Sequence, residues 1–292
     1  MRADVAAYDL IAPGSLAAVL ELLASAPGQW TPIAGGTEIM VALAAGKAVP
    51  RKLVSLWGIP DLRFIRSTPQ SFILGAGTTF SDLRAHAALA TELPLLAKAA
   101  GWIGSVANQS RATLGGNLVN GSPAADSSPV LLVYDAEIEL VSMRGSRRIA
   151  YTNFHTSYKQ NAMAADELLF AIHLPRRFAQ HRQYQRKVGT RRAMAISKVA
   201  LAATALLLDG RVSEIRLAAA SLAPFPARLH QTEAALLGKP LTAETMQAAH
   251  IALLAEARPI DDIRSTANYR RRVAANLLDE FLSDLCAGGA AQ

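Results

Sequence analysis

The sequence predicts an α+β protein built from three consecutive units. Helical and extended segments alternate before residue 57, and strand patterns are mixed with short helices as far as residue 177. After residue 178, two apolar runs joined by Asp209-Gly210 precede three helical patterns. We therefore expect a small α/β unit at 1–57, a mixed α+β unit at 58–177 and a sheet-plus-helix unit at 178–292.

The first unit is predicted to open with a helix. Ser15 precedes LAAVLELLASA and is a typical N-cap, and Pro27-Gly28 ends the helical pattern. A short strand, WTPIA, then runs into a turn at Gly35-Gly36, and the extended segment KLVSLW follows EIMVALAAG. This alternation favours a small α/β arrangement.

The middle unit is predicted from three stretches of sequence. SFILGAGTTF at 71–80 is typical of a strand that ends in a Gly-rich turn, and SDLRAHAALA follows as a helix with Ser81 as its cap. A further helix covers roughly 95–106. The segment VLLVYDAEIELVSMRGSRRIA at 130–150 predicts two strands joined through Asp135-Ala136, the second of which finishes in a Met-Arg-Gly turn.

The last unit is predicted from a hairpin and the helices after it. Asp209-Gly210 lies between two apolar runs in VALAATALLLDGRVSEIRLAAAS, and this dipeptide favours a tight hairpin because it tolerates positive φ. Helical patterns follow at 228–237, 242–257 and 266–285. A sheet covered by helices is the expected result.

Composition excludes several classes of protein. Of the 292 residues 51% are hydrophobic, but no uncharged apolar run reaches the roughly 18 to 20 residues that span a bilayer. The N-terminal MRADVAAYDL lacks the basic and apolar regions of a signal peptide, so we expect a cytoplasmic protein. The single cysteine, Cys286, excludes an intramolecular disulfide and a cysteine-ligated iron–sulfur cluster in this chain.

Metal and nucleic-acid binding have no support in the sequence. The six histidines show no HxH, HxxxH or HExxH spacing, so we expect no metal site. The net charge of +7 is concentrated at 176–187, 190–192 and 269–272, which is typical of solvated faces or subunit contacts. These clusters contain few aromatic residues and match no nucleic-acid-binding signature.

Two glycine-rich segments are the candidate ligand-binding segments of the sequence. TLGGNLVNGSPAADSSP at 113–129 is too rich in Gly, Asn, Ser and Pro to be regular throughout, and its glycines would let backbone amides approach a ligand. PIAGGTEIM at 32–40 has a second Gly pair, and GAGTTF lies between them. Neither segment matches the P-loop or the Rossmann fingerprint, so each taken alone is better explained as a structural turn than as a ligand site. Together they favour a cradle for an anionic ligand.

A family resemblance rests on four motifs in order: PIAGGTEIM, GAGTTFSDL, NQSRATLGGNLVNGSPAAD and RKVGTRRAMAIS. The chain resembles the flavin subunit of the molybdenum hydroxylases, which include carbon monoxide dehydrogenase and xanthine dehydrogenase, over essentially its whole length. The resemblance implies a two-part FAD-binding domain, made of the first two units, followed by a C-terminal domain with a three-stranded antiparallel sheet and helices. It also implies that the two glycine loops bind the FAD diphosphate through backbone amides.

The resemblance implies a set of cofactor-binding residues and no catalytic residue. The first loop is formed by Pro32, Ile33, Ala34, Gly35, Gly36, Thr37, Glu38 and Ile39, and the second by Thr113, Gly116, Asn117 and Ser122. Ile103, Ala107 and Leu169 are expected near the flavin.

Two charged residues complete the implied site, and each has an alternative. Asp126 would contact ribityl or ribose hydroxyls, or it would cap the segment that follows it. Lys187 would lie at the pyrimidine edge of the flavin, where a cation stabilises negative charge, or it would belong to a solvated basic run.

The implied function is electron transfer within a complex. Molybdenum–pterin on a large partner subunit and [2Fe–2S] clusters on a small partner subunit would reduce FAD held by this chain, and an external acceptor would collect the electrons. The expected assembly is a heterotrimer or a dimer of heterotrimers. Two alternatives remain: a self-contained FAD-dependent oxidoreductase that acts on a small molecule, and a non-catalytic adaptor in which the glycine loops are turns.

Overall fold

The protein was analysed as a computed structural model that describes residues 7–47 and 49–289. Part of the segment used to judge a targeting signal, residues 1–6, lies outside the described residues. The described residues form four sheets with helices between and around them, and one of the sheets is a small hairpin inserted within another.

The first sheet is parallel and has the order β1-β3-β2. Its strands and helices are β1 (Asp9–Ile11), α1 (Leu16–Ser25), β2 (Thr31–Ile33), α2 (Ile39–Ala44) and β3 (Lys52–Ser55). The Ser15 side chain accepts a hydrogen bond from the Ala18 amide, so the predicted cap of α1 is confirmed. Val19 and Leu23 of α1 pack into a core that also contains Val54 and Leu62.

The second sheet is antiparallel and has the order β4-β5-β10-β6-β7. Its strands are β4 (Ile65–Ser67), β5 (Ser71–Gly75), β6 (Glu137–Ser142), β7 (Gly145–Ala150) and β10 (Leu168–Pro175). Between β5 and β6 lie α3 (Phe80–Ala85), α4 (Ala87–Glu92), α5 (Pro94–Trp102), α6 (Val106–Arg111), α7 (Leu114–Asn120) and α8 (Ser128–Val133). A small hairpin of β8 (His155–Ser157) and β9 (Gln160–Asn161) precedes β10. Short 3-10 helices cover Pro60–Leu62 and Tyr151–Asn153.

The last sheet is antiparallel and has the order β11-β12-β13-β14. Its strands are β11 (Arg182–Val188), β12 (Val199–Leu208), β13 (Arg211–Ala220) and the two-residue β14 (Ala227–Arg228), and the helices after it are α9 (His230–Leu236), α10 (Ala243–Glu256) and α11 (Ala267–Gly289). Asp209 and Gly210 have φ of 50° and 72°, which confirms the predicted hairpin. The three long strands agree with the expected sheet, and β14 is an addition at its edge.

Three local predictions for the middle unit are wrong. The run 130–134 is not a strand: all six residues of α8 are buried, so the run shows no periodicity that could separate a strand from a helix. The hairpin after α8 turns at Met143-Arg144 instead of at Asp135-Ala136. The cap of α3 is Thr79, which forms a capping box with Asp82, and not Ser81.

The predicted helix at 95–106 is broken in two. Helix α5 ends at Trp102, and Gly104, with φ of 45°, separates it from α6. Ser105 caps α6 and exchanges hydrogen bonds with Asn108. The break places the segment around Ile103 at the surface of the largest core cluster.

Asp135 links the middle unit to the last sheet. Its carboxylate accepts hydrogen bonds from Arg216 at 2.6 Å, from Arg228 at 3.1 Å and from Arg177. Ala202 and Ala218 of the last sheet also belong to the core cluster of the middle unit. The two units therefore share both an ion-pair network and apolar packing.

Candidate functional site

The first glycine loop offers an uninterrupted row of backbone donors. It leaves β2 after Ile33, and Gly36 turns the chain with φ of 74°. None of the amides of residues 34–39 donates a hydrogen bond to another group among the described residues. Residues 32–37 are half-buried, so these donors line a partly enclosed surface. Such a row of free N–H groups is suited to binding an anion.

The second loop is organised differently, because its amides are largely used within the chain. The amides of Leu114 and Gly115 donate to the carbonyls of Thr78 and Ala76, each at 2.9 Å. The amide of Gly116 donates to the Thr113 hydroxyl oxygen at 3.1 Å. What Thr113 keeps free is its hydroxyl proton, since the oxygen is the acceptor in that bond.

Asn117 and Ser122 also face internal partners. The carbonyl oxygen of the Asn117 side chain accepts a hydrogen bond from the Ser127 hydroxyl at 2.7 Å, which leaves its amide protons as donors. The Ser122 hydroxyl oxygen accepts from the Ala124 amide at 3.3 Å. The second loop therefore presents side-chain donors, whereas the first presents backbone donors.

The structure brings the two loops into direct contact. A Cβ atom at Gly35 would lie 1.8 Å from the carbonyl oxygen of Arg111, which is two residues before Thr113. A Cβ atom at Gly116 would lie 3.8 Å from the Cβ of Ala34. The Arg111 guanidinium also stacks on Trp57, 3.7 Å from the ring centre. Only a glycine at position 35 permits this approach.

The third Gly-rich junction is structural and supports the second loop. The Gly77 amide donates to the Leu62 carbonyl at 2.6 Å, and the Ala76 amide donates to the Phe170 carbonyl at 2.8 Å. A Cβ atom at Gly115 would lie 2.6 Å from the Cβ of Ala76. GAGTT therefore holds the start of α7 in place, and its amides at residues 76 to 78 have acceptors within the chain.

Asp126 and Lys187 form a buried ion pair. Their atoms Oδ2 and Nζ are 2.6 Å apart, each side chain is 9% exposed, and Lys187 also donates to the Trp102 carbonyl. Ser197 donates to the other carboxylate oxygen of Asp126 at 2.5 Å. Burial raises the pKa of the Asp126 carboxyl, and the Lys187 ammonium opposes that rise.

This geometry removes the two simple alternatives for these residues. Lys187 does not belong to a solvated basic face, because its side chain is almost completely buried. Asp126 does not cap α8, whose N-cap residue Ser127 has no side-chain capping bond. The pair instead joins the middle unit to β11, next to the segment that carries Ile103.

The remaining expected residues surround this region to different degrees. Ile103 is half-buried against the main core, Ala107 is exposed on α6, and Leu169 of β10 is 3% exposed. The register of β10 with β6 shifts between Leu169 and Ala171, as in a β-bulge. The structure thus brings the two loops together, and it places these three side chains on separate elements.

Sequence reasoning missed several residues that position the site. Gln109 is 3% exposed, its side-chain amide donates to the carbonyls of Gly101 and Ile103, and Arg84 donates to its oxygen at 2.6 Å. Ser197, which donates to Asp126, was also missed. These contacts join residues that are separated in sequence, and no local pattern marks them.

Two family models together match most of the chain. Residues 6–177 match the "FAD binding domain in molybdopterin dehydrogenase", and residues 184–285 match the "CO dehydrogenase flavoprotein C-terminal domain". These matches place the chain in the class of FAD-binding oxidoreductase subunits.

Individual relatives agree with the family models over nearly full length. The xanthine dehydrogenase FAD-binding subunit of Escherichia coli O157:H7 is 32% identical, with 99% of each chain covered. The carbon monoxide dehydrogenase medium chain of Hydrogenophaga pseudoflava is 28% identical, with 94% of this chain and 96% of the relative covered. A solved carbon monoxide dehydrogenase from that organism superposes with a TM-score of 0.89 at 28% identity and covers 94% of this chain and 95% of its own. This chain belongs to the FAD-binding subunits of the molybdenum hydroxylase family, and its cofactor is FAD.

The described residues contain no group of three or more His, Cys, Asp or Glu side chains that could hold a metal ion. Within residues 7–47 and 49–289, no helix combines the length and the apolar character needed to cross a bilayer.

Proposed function

We propose that this chain carries FAD as the electron-transfer subunit of a molybdenum hydroxylase complex. In this proposal it receives electrons from [2Fe–2S] clusters of a small partner subunit, which a molybdenum–pterin subunit reduces, and passes them to an external acceptor. FAD supplies the redox chemistry, because a flavin exchanges electrons singly or in pairs. The supporting observation is the contact between the two glycine loops, since two units that meet around one cradle can hold one cofactor between them.

The donors fit a diphosphate. The free amides of residues 34–39 would hold its oxygens, and the Thr113 hydroxyl and the Asn117 side-chain amide would donate from the other side. Hydrogen bonds to a charged acceptor are stronger than neutral ones, so a row of such donors favours a tightly held anion. The Gly116 position has no side chain that would fill the space beside Ala34.

Lys187 and Asp126 would act near the flavin ring. Lys187 is held by Asp126 and by the Trp102 carbonyl, and a fixed ammonium there would stabilise negative charge on the ring. Asp126 already accepts from Lys187 and Ser197, but a carboxylate has about four lone-pair sites and can also accept from ribityl or ribose hydroxyls. We propose that Ile103 and Ala107 provide apolar contacts near the ring and that the backbone of the strand around Leu169 approaches it.

The partners and the location are also part of the proposal. Family membership supports a large molybdopterin-binding subunit and a small [2Fe–2S] subunit, assembled as a heterotrimer or a dimer of heterotrimers. The cytoplasmic location and the boundaries near residues 57 and 177 stay predictions.

Comparing the isolated chain with the assembled complex tests the proposal. The flavin-loaded chain alone should not be reduced by xanthine, by carbon monoxide or by aldehydes, whereas the flavin of the complex should be reduced by the substrate of the complex. Removing FAD from the complex should abolish acceptor reduction but leave reduction of the [2Fe–2S] clusters. Direct reduction of the isolated flavin-loaded chain by a small organic substrate would instead support a self-contained oxidoreductase.

A further inference from the structure

The β8–β9 hairpin lies against the end of helix α7, beside the second glycine loop. Gly121 ends α7 with φ of 60°, and a Cβ atom there would lie 3.2 Å from the Cα of Lys159 and 3.6 Å from the His155 ring. The turn of the hairpin therefore packs directly against the end of α7, the helix that Thr113 caps.

The same turn reaches the first glycine loop. The Lys159 ammonium lies 3.5 Å from the Glu38 carboxylate, and their side chains are 43% and 60% exposed. Glu38 belongs to the row of residues whose amides are free. Lys159 thus spans the two segments that form the cradle: its backbone contacts Gly121 and its side chain contacts Glu38.

The negative charge of Glu38 is unfavourable in a site that binds an anion. A carboxylate next to a diphosphate repels it, and backbone amides carry no net charge to offset the repulsion. The guanidinium of Arg111, whose backbone carbonyl lies next to Gly35, is stacked on Trp57. Lys159 is the cation that pairs with Glu38 among the described residues.

The backbone of Lys159 indicates that this position is constrained. Its φ of 54° lies in the left-handed region, which is uncommon for a residue with a side chain. This constrained residue lies at the tip of the hairpin that packs on Gly121, and its ammonium is directed at Glu38.

We propose that Lys159 is the counter-ion of the cofactor cradle: it cancels the charge of Glu38 and so allows the first loop to accept the diphosphate of FAD. The inference rests on the proposed FAD site and assigns to it a residue outside the two glycine loops.

The test measures FAD affinity of the full-length apo chain for Lys159→Asn, Lys159→Arg, Glu38→Gln and the Lys159→Asn/Glu38→Gln double variant. Asn tolerates the left-handed backbone, so Lys159→Asn removes the charge with little added strain. We expect Lys159→Asn to raise the Kd for FAD about three- to fivefold at low salt, because two half-exposed charges interact with modest energy. Lys159→Arg should stay within about twofold of the native chain, since it keeps the charge.

Salt and the double variant separate charge cancellation from a structural role. Added salt screens the repulsion by Glu38, so it should narrow the difference between Lys159→Asn and the native chain. Glu38→Gln in the Lys159→Asn background should restore most of the affinity. Lys239→Asn, which removes an exposed lysine of the last unit, is the matched control and should leave the Kd unchanged.

Each outcome decides the inference. A native Kd for Lys159→Asn at low salt overturns it, and so does a defect that persists in the Glu38→Gln background. Thermal unfolding of the apo forms shows whether Lys159→Asn folds; if it does not, Lys159→Gly, which also suits a positive φ, takes its place. A native chain that binds no FAD would overturn the proposed function itself, before the variants are compared.

Discussion

Gly35→Ala is the substitution that disrupts the contact between the two loops most directly. The added Cβ would lie 1.8 Å from the carbonyl oxygen of Arg111, 2.5 Å from its carbonyl carbon and 3.0 Å from the Ala112 amide nitrogen. All three atoms belong to the backbone, so no side-chain rotation relieves the clash. One of the segments must move.

The structure gives the size of the effect. Non-bonded heavy atoms are comfortable at about 3.5 Å, so the loops must separate by roughly 1.5 Å. Overpacking of this kind costs about 1–3 kcal/mol of stability. If the shift removes one or two hydrogen bonds from amides to the diphosphate, binding weakens by about 2–4 kcal/mol, or roughly thirty- to several-hundredfold in Kd.

The assay is titration of the apo chain with FAD, followed by flavin fluorescence or calorimetry. Gly58→Ala is the matched control, because it makes the same chemical change in a part of the chain where a Cβ atom meets nothing within 4 Å. Its Kd should remain native. A native Kd for a folded Gly35→Ala chain would refute the reasoning that the two loops close on one cofactor.

Four further predictions concern Gly36, Gly116, Asp126 and His155. Gly36→Val should abolish FAD retention through purification, because Gly36 has φ of 74° and a β-branched residue resists that conformation. Gly116→Val should also abolish it, because a Cβ atom at this position lies 3.0 Å from the Thr113 hydroxyl oxygen and crowds it. Flavin absorbance of the purified variants checks both predictions. Asp126→Asn should destabilise the apo chain by about 3 kcal/mol in urea unfolding, because it leaves Lys187 buried without its partner, and adding Lys187→Met should recover part of the loss. Burial lowers the pKa of His155 from 6.5 to about 4. The imidazole is therefore protonated in the unfolded chain at a higher pH than in the folded chain. The free energy of unfolding should fall by up to about 3 kcal/mol as the pH drops from about 6.5 to 4. In urea unfolding between those pH values, the free energy of unfolding of His155→Gln should vary less with pH than that of the native chain. The same variation with pH in both proteins would contradict the lowered pKa of His155.

The sequence predicted features that depend on local chemistry. The hairpin at Asp209-Gly210 and the cap at Ser15 were found because a few adjacent residues determine them. Helix α8 was taken for a strand because complete burial removes the polar positions that reveal the period. A local signal was available there, since Pro129 near the start of a segment favours a helix N-terminus.

The residues of the candidate site stay predictions, and the contacts between them could not be predicted from the sequence. Both glycine loops were recognised, yet the reason for Gly35 is a backbone carbonyl at residue 111, which no pattern near position 35 reveals. Ser197 reaches Asp126 across the boundary between two units, and Lys159 reaches Glu38 from a hairpin. Such pairs depend on how the units are packed, and a single sequence contains no direct record of that packing.

Hydrogen–deuterium exchange of the first loop, with and without FAD, tests the central claim most directly. The amides of residues 34–39 have no acceptor within the described chain, so they should exchange rapidly in the apo protein and become protected when FAD binds. The exposed turn at Asp209-Gly210 should exchange equally in both states. Rapid exchange of residues 34–39 in the FAD-bound protein would contradict the account, because it would show that these amides do not hold the cofactor.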